Sequence, residues 1–518
     1  MHNSDQLKIA VGFATVATLS TLYYMYIKNR KSSSSIHNNG DNIKQINKSF
    51  RIVEDSMLVR GALDVSVHSE LDVSTSGSFT TLGLERPIVL AMVGLPARGK
   101  SYLVKMMIRY FSWIGLNPKV FNVGSYRRSQ GMSGASSDFF ESGNTEAKKT
   151  REKLAMVVQD EMYKWIHAGQ GASQQRVAIF DATNTTKARR MALIKRSRRE
   201  NVFLLFVESI CNDEKVLRRN YELKLQNEDY KNIDPEKARR DFAARVRAYE
   251  SQYETIEDNE DNYNISFIKL VNVGQKIITR NCFGYLPSQV SFYLQNVHIQ
   301  PRKIYLALHA ETASKNNSYR KTNSGNSYGM GESLLTEKGR EFSLDLAKYI
   351  EVSFVRNTNV SEDDKFLVLG GTAKSHTETI MHLRMMCPCF TTPLLNELRA
   401  GELHGLSREE IQTKFPEEWA KREQDKLHYR YPGVGGESYF DVIERIRPVI
   451  IELERQRRSL LVVTHLAVLR CIYAYFTGTE TEKIPYIPMK MHQIVELTPG
   501  PFGCRIKLIN PAEEVNLI

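Results

Sequence analysis

Residues 87–114 read PIVLAMVGLPARGKSYLVKMMIRYFSWI. The apolar run from Ile88 to Val93 predicts a buried strand, and the stretch after Ser101 reads as a helix. Between them Gly94, Leu95, Pro96, Ala97, Arg98, Gly99, Lys100 and Ser101 fit the pattern G-x-x-x-x-G-K-[ST]. That pattern is specific when a strand precedes it and a helix follows. In such a setting the loop N–H groups and the helix N-terminus cradle phosphates. Lys100 brings a positive charge to the terminal phosphates, and the Ser101 hydroxyl is a ligand for Mg2+.

A phosphate loop calls for an acidic group on a neighbouring strand, and RVAIFDATNTT, residues 176–186, supplies Asp181. Four apolar residues precede it, which places it at the carboxyl edge of a sheet, where ligands bind in α/β folds. There it can position Mg2+ or accept a proton from an attacking hydroxyl. Thr183 and Asn184 can hydrogen-bond a substrate at the same edge. The basic run KARRMALIKRSRRE that follows lacks interleaved aromatic residues, so it reads as a solvated helix face and not as a nucleic-acid patch.

Outward from this stretch, strands and helices alternate, the mark of an α/β domain. Strands are predicted at Ile88 to Val93, Lys119 to Asn122, Val177 to Phe180, Val202 to Val207 and Ile265 to Val271. A second alternating set has strands at Ile304 to Leu308, Phe366 to Leu369 and Leu460 to Thr464, so the domain boundary falls near Pro301. A chain of 518 residues is too long for a single core. Its 71 basic and 59 acidic residues leave a net charge of +12, which favours an anionic partner. Six scattered cysteines argue for free thiols in a reducing compartment and against a disulfide framework.

The N-terminus differs. Ile9 to Ile27 carries no charge over 19 residues, the length needed to cross a bilayer as a helix. Tyr23, Tyr24 and Tyr26 followed by Lys28, Arg30 and Lys31 suit an interfacial belt with a basic cytosolic flank. A cleaved signal peptide is the rival reading, but no small-residue cleavage pattern follows. Residues 1–31 therefore read as a hydrophobic segment that can anchor the chain to the cytosolic face of the mitochondrial outer membrane or endoplasmic reticulum. Without an anchor the chain is expected in the cytoplasm. Residues 32–85, rich in Ser and Asn, read as a flexible linker.

The second alternating set opens with KIYLALHAETASKN, residues 303–316, in which a short apolar strand runs into His309. A histidine there suits phosphate chemistry, yet its neighbours Leu308 and Ala310 are aliphatic.

GLPARGKSY, KVFNVGSYRR, FDATNTT and ARVRAYE together resemble the kinase half of the 6-phosphofructo-2-kinase/fructose-2,6-bisphosphatase family, and the likeness runs from about residue 86 to residue 510. The resemblance implies a P-loop kinase domain with a mostly parallel sheet over residues 86–300. A histidine-phosphatase-like α/β domain would follow over residues 301–518. It implies transfer of the γ-phosphoryl group of ATP to the 2-hydroxyl of fructose 6-phosphate, with Mg2+, in a homodimer. Carried over by motif, Arg127, Arg128, Arg151, Thr183, Arg245 and Tyr249 would bind fructose 6-phosphate. Lys224 would join Lys100 and Asp181 in catalysis. Several arginines suit a phosphate dianion because the guanidinium fork grips two oxygens at once. One departure is Glu141 in FFESGN, where the family has arginine.

In the second half the family's phosphatase motif Arg-His-Gly-Glu reads Leu308-His309-Ala310-Glu311. The nucleophilic histidine is kept, and the adjacent arginine is lost. The second phosphate-clamping arginine falls at Ser375, beside Lys374. Glu397 matches the general acid and His465 the second histidine, while Arg422, Lys426, Arg430 and Arg470 match positions that bind the bisphosphate. With both arginines gone, little or no phosphatase activity is expected.

Overall fold

A computed structural model describes residues 86–134, 137–141, 143–168, 175–231, 233–272, 274–298, 301–313, 335–355, 365–500 and 503–517. The hydrophobic segment and the linker expected over residues 1–85 lie outside this set.

The phosphate loop begins where the sequence places it. Strand β1 (Ile88–Val93) is buried at all six positions, as a strand covered on both faces must be. It pairs in parallel with β3 (Arg176–Asp181) on one side and β4 (Phe203–Ile210) on the other. Adding β2 (Asn117–Asn122), β5 (Phe267–Val271) and β6 (Lys276–Arg280) gives a six-stranded sheet in the order β2-β3-β1-β4-β5-β6. Only β6 runs antiparallel. Helix α1 (Lys100–Trp113) follows β1, α2 (Val123–Ser129) follows β2, and α3 (Thr145–His167) leads into β3. Helix α4 (Lys187–Arg199) joins β3 to β4, and α5 (Glu214–Leu225) and α6 (Pro235–Glu250) lie between β4 and β5. Asp213 and Asp234 cap α5 and α6 through their side chains, which sets where each helix starts.

After α7 (Tyr285–Asn296) a second sheet forms from β7 (Ile304–Leu308), β8 (Leu367–Gly370), β9 (Cys389–Thr391), β10 (Leu460–Thr464), β11 (Ile494–Gly500) and β12 (Gly503–Ile509). Its order is β12-β11-β7-β10-β8-β9, with β7, β10, β8 and β9 parallel, β11 antiparallel to β7, and β12 antiparallel to β11. Helices α8 (Glu337–Ile350), α9 (Lys374–Thr379), α10 (Pro416–Gln424), α11 (Tyr439–Arg455) and α12 (Leu466–Thr477) complete the parts used below.

The two α/β layers expected from the alternation are thus present, with β1, β7 and β10 at the predicted bounds, β2, β3, β4, β5 and β8 shifted by up to three residues, and β6, β9, β11 and β12 not predicted. Strands β6 and β12 escape a reading of apolar runs because most of their residues stay exposed or half-buried. Both sheets belong to one unit, residues 79–518, and share a core. Tyr110 stacks on Tyr293 at 4.3 Å between centroids, and the Trp113 indole donates to the Cys471 carbonyl at 2.9 Å. In the same core Glu454 is buried between Arg109 and Arg302 and accepts a 2.8 Å hydrogen bond from the Tyr475 hydroxyl.

Candidate active site

The loop Gly94–Ser101 is held through its backbone groups. Gly94 N–H donates to the Thr183 carbonyl at 2.9 Å, and the Asn220 amide donates to the Ala97 carbonyl at 3.0 Å. The Ser209 hydroxyl donates to the Arg98 carbonyl. Gly94 has φ of 134°, and a Cβ there would stand 2.5 Å from the Ser209 carbonyl oxygen, so no other residue fits without moving β4. Lys100 Nζ reaches back to the carbonyls of Gly94 (2.7 Å) and Leu95 (2.6 Å). Burial lowers its pKa to about 7, because removing an ammonium from water penalises the charged form more than Asp181 favours it.

A cavity of about 900 Å³ opens at the carboxyl ends of β1, β2 and β3. Of the residues that sequence and resemblance assigned to the kinase site, all but Gly94 and Leu95 line it: Pro96 to Ser101, Arg127, Arg128, Arg151, Asp181, Thr183, Lys224, Arg245 and Tyr249. Eleven lysines and arginines face three carboxylates there (Glu152, Asp181 and Asp229), a balance built for a polyanion. Asp181 is 7% exposed, and burial pushes its carboxyl above the ordinary aspartate range although Lys100 and Lys224 oppose the rise. Burial likewise pulls Lys224 below the usual lysine value, with Asp181 as its main opposing charge. Glu141 is exposed and is not among the lining residues, so the charge reversal there stays off the cavity.

Three further groups carry the site and were not singled out in sequence, although Asn122 and Phe140 lie within the quoted motifs. Asn122 ends β2 opposite Asp181, and its amide donates to Asp181 Oδ2. Asp229, in the loop after α5, pairs with Arg127 at 2.6 Å and with Arg245 at 3.5 Å. Phe140 lies under the guanidinium of Arg245, 3.9 Å from its centroid.

For a cation, Ser101 and Asp181 offer hard oxygens among the residues that line the cavity. Among the described residues no group of three or more His, Cys, Asp or Glu could hold a metal ion. That donor set fits Mg2+, which takes one or two protein oxygens and completes its shell with water and phosphate.

The second site lies at the ends of β7 and β10. His309 N–H donates to the Thr464 carbonyl at 3.1 Å, and its ring sits 4.3 Å from that of His465. A third imidazole, His376, which the sequence reading passed over, packs 4.4 Å from His465 and 5.6 Å from His309. It is fully buried, neither ring nitrogen has a hydrogen-bond partner, and it rests against Gly371, where a Cβ would come within 2.2 Å of its Nδ1. Burial lowers His376 to about 3 and His465 to about 2, so both rings are neutral at physiological pH. Burial also lowers His309. Leu308 is buried in the core, and Ser375 is 9% exposed. Lys374 does not stand in for the missing arginine: its ammonium is half exposed and 3.8 Å from Glu378. Glu397 is exposed. Arg422 and Lys426 pair with Glu423, Arg430 pairs with Asp441, and Arg470 donates to the Ile487 carbonyl at 2.7 Å.

Comparison with known proteins agrees with this division. A 6-phosphofructo-2-kinase family model matches residues 75–301, and a histidine phosphatase superfamily (branch 1) model matches residues 304–511. The chain is 38% identical over 424 residues to 6-phosphofructo-2-kinase/fructose-2,6-bisphosphatase 3 of Rattus norvegicus, covering 82% of this chain and 72% of that one. It is 36% identical over 483 residues to a Schizosaccharomyces pombe protein described as "Probable 6-phosphofructo-2-kinase", covering 83% and 70%. Among solved structures, the alpha-ribazole phosphatase of Shigella flexneri matches with a TM-score of 0.32 and 19% identity, over 40% of this chain and 96% of that one.

Proposed function

Because the chain belongs to the 6-phosphofructo-2-kinase/fructose-2,6-bisphosphatase family, we propose that it transfers the γ-phosphoryl group of ATP to the 2-hydroxyl of fructose 6-phosphate and has little or no bisphosphatase activity. The observation that carries this reading is the single cavity in which the phosphate loop, Asp181, Lys224 and the arginine cluster meet. The loop and Lys100 hold the nucleotide phosphates. Arg127, Arg128, Arg151 and Arg245, with Thr183 and Tyr249, hold the sugar phosphate. Asp181, deprotonated, accepts the proton of the 2-hydroxyl as the oxygen attacks phosphorus. Lys224 and Lys100 neutralise charge on the transferring group, the main task in phosphoryl transfer. Ser101 and Asp181 would hold Mg2+, which would neutralise phosphate charge.

The phosphatase half is read as inactive on the same chemistry. A phosphoryl group arriving at His309 meets neutral imidazoles and the aliphatic Leu308 where two guanidinium groups are needed. Losing one preorganised donor costs about 10²–10³ in rate, so losing two leaves on the order of 10⁴ or more to recover. A regulatory protein that binds nucleotide or sugar phosphate without turnover is the rival; Glu141 and the damaged second site favour it, and the intact Lys100, Ser101, Asp181 and Thr183 oppose it. Glu141 lies outside the cavity lining, which weakens the first of these supports. Calorimetric binding of ATP and fructose 6-phosphate, run beside product formation, separates the two readings, since binding without product selects the rival. A brief exposure to fructose bisphosphate labelled at the 2-phosphate tests the second site. A labelled His309 contradicts its inactivity.

The run from Ile9 to Ile27 is read as an anchor to the cytosolic face of a membrane, tested by localising the full chain against one lacking its first 30 residues. Homodimerisation, proposed from the family, is tested by sedimentation.

A further inference from the structure

Three of the guanidinium groups assigned to the sugar phosphate converge on one carboxylate. Asp229 Oδ2 lies 2.6 Å from Arg127, 3.5 Å from Arg245 and 3.7 Å from Arg128, while Oδ1 accepts from the Gly134 N–H at 3.3 Å. Asp229 is 7% exposed, so these interactions are screened far less than surface pairs. Burial alone would raise its carboxyl, but Arg127 and Arg245 hold it below the ordinary range, so it is ionised at any working pH.

The same arginines are gripped from their other side. Phe140 stacks against Arg245 at 3.9 Å and against Arg127 at 5.6 Å, and Arg127 also donates to the Met132 carbonyl. Arg245 Nε is buried without a hydrogen-bond partner, a donor left over for an acceptor the protein does not provide. A guanidinium fork grips a phosphate only when its plane is aligned. Unscreened cations this close repel one another and would splay apart without a shared counter-charge.

We propose that Asp229 is a positioning residue that aligns Arg127, Arg128 and Arg245 as a clamp for the phosphate monoester of the acceptor sugar, and so sets affinity for that substrate and not for the nucleotide. The inference rests on the kinase reading above. It also opposes simple charge counting, since removing a carboxylate from an anion site should tighten binding if orientation were irrelevant.

The test is steady-state kinetics of the full chain and of Asp229→Asn and Asp229→Glu, varying each substrate with the other saturating. Misplacing a binding group by about 1 Å costs roughly 100-fold. Asp229→Asn is therefore expected to raise KM for fructose 6-phosphate by about 10- to 100-fold, with KM for ATP changed by less than about threefold. Asp229→Glu, which keeps the charge and shifts it by one methylene, should recover most of that loss. An unchanged or lowered KM for the sugar phosphate in Asp229→Asn overturns the proposal. If the wild-type chain forms no product, the kinase reading fails by itself, and calorimetric binding of fructose 6-phosphate to the same variants reads the clamp without turnover. Should Asp229→Asn fail to melt cooperatively, Asp229→Glu carries the decision. A rise of a few-fold in KM or Kd for the sugar phosphate supports the proposal, and no change overturns it.

Discussion

Asn122 and Asp181 are register partners at the carboxyl ends of β2 and β3, and the Asn122 amide donates a hydrogen bond to Asp181 Oδ2. The bond fixes the carboxylate at the cavity edge and leaves it an acceptor for a substrate proton. Replacing Asp181 by Ala should lower kcat by about 10²–10⁴, the range for a general base. Asn122→Ala, which frees the carboxylate to rotate, should cost less. Both are read by formation of fructose 2,6-bisphosphate at saturating substrates.

Burial raises the Asp181 pKa in the free protein, so the acid limb of kcat/KM should stand at higher pH than an ordinary aspartate would give. The base must be ionised to work, hence kcat/KM falls as pH is lowered through that raised value. A pH profile of kcat/KM checks this, and a value flat down to pH 4 excludes Asp181 as the base.

Lys100 titrates near pH 7 in the free protein because it is buried. A triphosphate placed against it favours the ammonium and raises that value. Binding of ATP at pH 8 should therefore take up a proton, whereas at pH 6 the lysine is already charged and uptake at this group vanishes. Calorimetry in two buffers of different ionisation enthalpy measures the difference, and Lys100→Met should abolish it.

Glu454 is 1% exposed and shared by Arg109, Arg302 and Tyr475 at the junction of the two sheets. Breaking such a buried network leaves two uncompensated guanidinium groups, so Glu454→Ala should cost about 3–5 kcal/mol of stability. Chemical denaturation monitored by tryptophan fluorescence is the readout, since Trp113 packs beside Tyr475 at 5.4 Å between centroids.

If the second site is inactive, no hydrolysis competes with synthesis. His309→Ala should then leave the accumulation of fructose 2,6-bisphosphate unchanged. In a working bifunctional enzyme the same substitution would raise the yield, a result that time courses at low substrate would reveal.

The parts of this molecule that were legible in sequence are those whose cause is local. A phosphate loop needs glycine, lysine and serine in fixed succession, and Asp181 announces itself by ending an apolar run. Asp229 could not be read that way. It lies 102 residues from Arg127, within the polar stretch QNEDYKN, and acquires its meaning only when α5 and α2 are brought together. His376 was hidden for a similar reason: the arginine missing at Ser375 is the conspicuous change, while the imidazole beside it shows its role only by packing against His465 and His309. Glu141 shows the converse: a conspicuous change in a motif whose side chain stands off the cavity.

The most direct test of the central claim is ATP-dependent formation of acid-labile fructose 2,6-bisphosphate from fructose 6-phosphate by the purified chain, set beside Lys100→Met. Product from the wild type that is lost in the variant is the predicted result. A wild-type chain that binds both substrates yet makes no more product than Lys100→Met would contradict the account.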